Sequence, residues 1–305
     1  MNRADRTTAA AHKHRNGFLY GLGAYGLWGV LPIYFKALGD VPAFDIVAHR
    51  ILWSLPFLAL LVTLGGGWRT LRSCAGNARM IGLLTLTALL IGTNWLLYVY
   101  AVTSGHILAA SFGYYLNPLA NVLLGRFVLK EHLSRVQWAA VALAAAGIAV
   151  LAAGALGQLW ISLVLCVSFA SYGLIRKLLP IDAVGGLAVE TALLFPLGAG
   201  WLAWRWANGA ALFGHGHGDA ILLVLAGIVS TTPLILFNAA AKRLAYSTLG
   251  MIQFLAPTLQ FLLAVLVYGE RFTIAHAIAF AAIWTALALY VTALMRKPRL
   301  PQAPE

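Results

Sequence analysis

Arg50 and Glu190 are the ionisable residues placed most clearly inside long apolar runs of this 305-residue chain. A charge held at mid-depth in an apolar medium costs roughly 2.5–3.5 kcal/mol on insertion scales, so a group kept there is expected to work. Setting Pro56 on Pro196 brings the two to one position, charged with opposite sign in two related stretches. Each lies about six residues into its run, or about 9 Å at the helical rise. If they enter from opposite faces of a core about 30 Å thick, roughly 12 Å separates their levels. The expectation is therefore two vestibules, Arg50 in an outer one and Glu190 in an inner one, each engaging a solute or helix ends in turn. The plainer alternatives are Arg50 snorkelling to the outer surface and Glu190 protonated or structurally paired. A Glu190 that takes up protons would couple flux to a pH gradient.

Around these charges stand amides and phenols. Asn94, Tyr98, Tyr114, Asn117 and Asn121 come from the first half, and Asn238, Gln253 and Gln260 from the second. Asn117-Pro118, Ala256-Pro257 and Thr231-Thr232-Pro233 are expected to break helices, because proline removes a backbone donor. Freed carbonyls are tolerated where they line a cavity. Such groups suit a neutral, zwitterionic or moderately aromatic solute; the alternative is that they bond helix to helix. Trp28 lies in a glycine-rich stretch (Gly17, Gly21, Gly23, Gly26, Gly29) that reads first as close packing, with Trp28 and Trp95 as cavity walls in the second reading. Asp45 and His49, four residues apart, form either a local polar patch or a proton-sensitive entry. Glu131 and Glu270 read as capping or loop order, since Ser134 and Thr273 follow them. His215 and His217 are too few for a metal site, and Trp201, Trp204 and Trp206 read as an interfacial belt.

The elements that position these residues follow from composition. The chain is 61% hydrophobic and 10% charged, which no water-soluble fold could bury, so the solvent is lipid. Ten apolar runs fall at about 17–38, 44–64, 79–100, 106–124, 135–153, 157–175, 184–204, 219–240, 246–268 and 272–294. The expected fold class is an all-α polytopic membrane protein with ten transmembrane helices. With both termini in the cytoplasm, 17 of the 21 lysines and arginines fall inside, and only Lys36, Arg50, Arg205 and Arg271 do not. The net charge of +12 is thus a topology signal rather than a nucleic-acid one. Neither cysteine belongs to a framework or metal spacing.

Ser111–Glu131 recurs 139 residues later as Gly250–Glu270, with Leu116, Pro118, Leu123, Leu124, Val128 and Glu131 on Leu255, Pro257, Leu262, Leu263, Val267 and Glu270. The expected organisation is a cytoplasmic tail at 1–16, one five-helix repeat at 17–153, a second at 157–295 and a tail at 296–305. Five is odd, so the repeats would be inverted, as in many secondary transporters with a central site at the repeat interface.

The helix ends Lys130-Glu131-His132-Leu133-Ser134 and Gly269-Glu270-Arg271-Phe272-Thr273 resemble the EamA branch of the drug/metabolite transporter superfamily. Gly21–Lys36, Ala48–Ser54, Asn94–Tyr100, Ala110–Leu119 and Ser168–Lys177 resemble the RarD proteins of that branch, over nearly the whole chain. The resemblance implies a bacterial inner-membrane permease; the family name is tied to chloramphenicol sensitivity, and related members export amino acids or other metabolites. The last helix of the first half keeps the family's glycine at Gly147, whereas the second half has Thr285 near that place. Small-molecule export by alternating access is the expected function, with an amino-acid exporter or a membrane sensor or enzyme as alternatives. No phosphate loop is present and nothing calls for a cofactor. No cluster of acids, histidines or nucleophiles at one membrane level points to catalysis.

Overall fold

The structure, a computed structural model, describes residues 3–39, 41–103, 107–152, 159–209, 217–269 and 273–296. All of its regular structure is helical, and no strand occurs among these residues. The helices in chain order are α1 (Arg3–Ala37), α2 (Ala43–Leu64), α3 (Trp68–Ala75), α4 (Ala78–Thr103), α5 (Ile107–Phe127), α6 (Arg135–Ala152), α7 (Leu159–Leu178), α8 (Ala183–Ala207), α9 (His217–Ala241), α10 (Tyr246–Gln253), α11 (Leu255–Leu266) and α12 (Ile274–Arg296). Among the described residues eight stretches are long and apolar enough to cross a membrane; they lie in α1, α2, α4, α7, α8, α9, the α10–α11 pair and α12. α5, with 21 residues, and α6, with 18, occupy the runs read at 106–124 and 135–153.

Burial is reversed relative to a water-soluble protein. Leu197, Leu266 and Ile274 point outward, while Asn94, Asn117, Asn121, Glu190 and Asn238 are enclosed. Lipid accepts the leucines but cannot satisfy the amides, so the polar side chains must meet one another inside.

α2 packs on α8 and α9, α4 on α7 and α8, and α1 on α9, α10 and α11; α5 packs on α7 and α10, and α6 on α12. Small residues permit the closest approaches. A Cβ at Gly227 of α9 would lie 2.6 Å from the backbone nitrogen of Ser54 in α2, and one at Gly147 of α6 would lie 2.9 Å from the Ala279 carbonyl oxygen in α12. In α1, Gly17 and Gly29 seat Leu244 and Leu259, which agrees with packing as the use of that glycine-rich stretch.

Two of the three expected proline breaks do not occur. α5 runs unbroken through Pro118 and α9 through Pro233. Proline costs the helix one donor, and packing against neighbouring helices on several sides holds the axis despite that loss. The ninth run is interrupted at Phe254, and Pro257 then falls in the first turn of α11, where an amide N–H would have no intrahelical partner.

Three further features lie in the loops and helix ends. α3 is a short helix in the loop after α2, with Cys74 buried and Arg69 and Arg72 exposed. Ser134 and Gln137 form a reciprocal capping box on α6, through Ser134 N to Gln137 Oε1 at 2.8 Å and Gln137 N to Ser134 Oγ at 3.3 Å. Glu131 caps a distant helix instead of its own loop. Its carboxylate accepts from Tyr246 N at 2.6 Å, Ser247 N at 3.0 Å and Ser247 Oγ at 2.6 Å, at the start of α10. Glu270, Arg271 and His215 lie outside the described residues.

Candidate functional site

The nine residues singled out from the sequence lie on α1, α2, α4, α5, α8, α9 and α10, and they fall into three groups. The first surrounds Arg50. Its guanidinium carbon lies 3.4 Å from the centroid of the Trp95 ring, a cation–π contact between α2 and α4. Tyr34 of α1, Tyr114 of α5 and Tyr172 of α7 are its electrostatic neighbours. Asn94, next to Trp95, is locked in place. Its amide donates to the Leu165 carbonyl at 2.9 Å and to Ser168 Oγ at 3.0 Å, and its oxygen accepts from Tyr114 OH at 3.2 Å. Tyr98 packs edge-on to Tyr114 with ring centroids 5.6 Å apart.

The second group centres on Gln253 at the end of α10. Its side-chain oxygen accepts from Asn121 Nδ2 at 2.8 Å and from Tyr25 OH at 3.4 Å, joining α10, α5 and α1. Asn117, one turn before Asn121, is fully buried, and neither of its amide atoms is hydrogen-bonded to a described residue. Trp28 stands beside this group, its ring 5.7 Å from Tyr25 and from Phe169 and 5.8 Å from Phe237. The Trp28 carbonyl receives Gln260 Nε2 at 2.9 Å, so Gln260 serves helix packing.

The third group contains Glu190. Its carboxylate receives Thr87 Oγ1 at 2.6 Å and Tyr172 OH at 3.3 Å, and lies 3.4 Å from Arg176 Nε. Arg176 and Glu190 are both almost wholly enclosed. Asn238 donates to Tyr172 OH at 2.8 Å. Tyr172 thus touches the Glu190 network with its hydroxyl and also borders Arg50. Asp45 does not complete either charged group: it pairs with Arg205 at 3.0 Å and accepts from Trp201 Nε1 at 2.8 Å, tying the start of α2 to the end of α8.

Sequence reasoning does not single out Arg176, one of the 17 cations that the charge count places on the cytoplasmic side, nor Tyr172 and Thr87. One signal was available. Tyr172 and Arg176 are four residues apart and share a helical face, and Gly186 stands four before Glu190. Gly186 leaves the room that the Arg176 guanidinium fills. Nothing in the spacing says which cation folds back onto Glu190.

No group of three or more His, Cys, Asp or Glu that could hold a metal is found among the described residues.

Residues 15–153 match the EamA-like transporter family. An uncharacterised transporter of Pseudomonas aeruginosa is 47% identical over 94% of this chain and 97% of its own. The RarD protein of Escherichia coli K12 is 42% identical over 92% of this chain and 95% of its own. The chain belongs to the RarD subfamily of the EamA family, within the drug/metabolite transporters. A crystal structure with 23% identity superposes with a TM-score of 0.71 over 92% of this chain and 99% of its own, which shows a shared fold. As a member of this family the chain is a multi-pass protein of the bacterial inner membrane and a membrane transporter of small substrates.

Proposed function

We propose that the chain is a secondary active transporter of ten spans, built as two inverted five-helix repeats with both termini in the cytoplasm, that exports small metabolites or drugs by alternating access. One observation carries this reading. Pair α1 with α7, α2 with α8, α4 with α9, α5 with α10–α11, and α6 with α12. Exchanging the partners then maps the packing onto itself: α1–α9 becomes α7–α4, α2–α9 becomes α8–α4, and α5–α7 becomes the contact of α10–α11 with α1. The pairs α2–α8, α6–α12 and α5–α10 return to themselves. A two-fold relation between halves with five spans each requires opposite orientations, and a central site between such halves can open to either side.

The substrate site in this reading lies where both halves contribute, with Arg50, Asn94, Tyr98, Tyr114 and Asn117 from one and Glu190, Asn238 and Gln253 from the other, and Trp28 as an aromatic wall. The test is counterflow in proteoliposomes with a labelled panel of amino acids and chloramphenicol, with and without a pH gradient. Saturable exchange of a panel member is the expected result, and a response to the gradient would assign proton coupling. Flux that never saturates and shows no counterflow would replace the carrier with a channel.

A further inference from the structure

We infer that the central site holds its cargo through a carboxylate seated on Arg50, and that the cargo is an organic anion with a flat apolar body. This deepens the transporter reading above and rests on it. The argument begins with the acids. Asp45 pairs with Arg205, Glu190 with Arg176, Glu131 caps α10, and Asp182 caps α8 through Gly185 N at 2.9 Å. Every acid whose side chain is described is therefore engaged elsewhere, and none of them faces Arg50.

Arg50 itself is only partly buried, and its nitrogens are not among the enclosed unpartnered atoms, so its fork is accessible. A guanidinium kept inside a membrane span without a counter-charge, as Arg50 is among the described residues, is costly. The cost is removed when an anion arrives. The Trp95 face holds the guanidinium carbon at 3.4 Å and takes none of its N–H donors in a hydrogen bond, and a free arginine fork receives a carboxylate through two parallel N–H···O bonds. The surroundings choose the remainder of the cargo. Trp95, the Tyr98–Tyr114 pair and Tyr172 supply flat faces, and no described acid is available for an ammonium group. Glu190, which could have served a cation, is neutralised by Arg176.

The test uses the full-length protein in nanodiscs and three matched probes: phenylacetate, phenylacetamide and phenethylammonium. Equilibrium binding should show saturable phenylacetate binding about 10- to 100-fold tighter than that of the neutral amide, the range expected of a charge-assisted hydrogen-bonded pair. R50Q should abolish that preference, and R50K, which keeps the charge but loses the fork, should retain part of it. Absence of saturable phenylacetate binding, equal binding of the amide, or a full preference surviving in R50Q would each overturn the assignment. Counterflow separates this from the transporter reading. If a neutral or cationic solute exchanges equally well in the parent and R50Q, the transporter stands and the anion site falls. If phenylacetate binds through Arg50 but no solute exchanges, the site stands and the transporter falls.

Discussion

At the residue scale the Arg176–Glu190 pair is the most exacting feature of the molecule. Both groups are enclosed, and Arg176 adds hydrogen bonds to the Asp182 and Ala183 carbonyls at 3.3 and 3.1 Å. Removing one partner of such a pair leaves the other charge stranded, which costs about 3–5 kcal/mol. E190Q is expected to fall near the lower end, because the carbonyls still receive part of the guanidinium. Thermal unfolding followed by size-exclusion of the detergent-solubilised protein would measure it. A second prediction tests the geometry. A Cβ at Gly186 would enter the space of the Arg176 guanidinium, so G186A should push Arg176 off Glu190 and destabilise the protein. Because both changes break the same contact, the E190Q/G186A protein should lose clearly less than the sum of the single losses. Full additivity would show that the two substitutions act independently.

At the scale of elements, the tie from Glu131 to α10 joins the end of α5 to a helix more than a hundred residues away. A carboxylate on two free amides at a helix N-terminus combines charge-assisted hydrogen bonds with the favourable end of the helix dipole. E131A is expected to cost about 1–3 kcal/mol, and E131Q less because one oxygen remains an acceptor. Hydrogen–deuterium exchange should quicken over Tyr246–Gln253 in E131A while α6, held by its own Ser134–Gln137 box, keeps the parent's rate. Equal protection of α10 in both proteins would mean that tertiary packing alone holds its first turn. That Glu131 orders a helix end was legible in the sequence; which helix end was not, because the contact spans 115 residues. Similarly, the apolar runs located the helices, yet proline proved a poor guide to where they stop. Pro118 and Pro233 are carried through by packing, and only the run holding Pro257 divides.

At the scale of the whole molecule, the proposed inverted arrangement makes a sidedness prediction. The turn after α5 and the turn after α8 should face opposite sides of the membrane. With Cys74 and Cys166 replaced, a membrane-impermeant maleimide should label N208C in intact cells and H132C only after permeabilisation. Labelling of both from outside would overturn the proposed topology. In the proposed two-fold arrangement the candidate site would lie on the pseudo-axis, where both halves contribute residues.

Composition and the apolar runs alone determined the solvent and the helical class, because lipid punishes an unsatisfied backbone at every residue and so writes its demand along the whole sequence; the family was legible only through the resemblance of particular stretches such as Gly21–Lys36 and Ser168–Lys177. They also marked Arg50 and Glu190 as charges that needed a reason. Only the tertiary structure decided their different fates. Arg176 folds back onto Glu190 through the gap left by Gly186, whereas Arg50 rests on Trp95 with its fork open. The physical reason is that the cost of a buried charge is local to its residue, but its compensation comes from any cation or acid that packing brings within a few ångströms, and that proximity is a property of the assembled bundle.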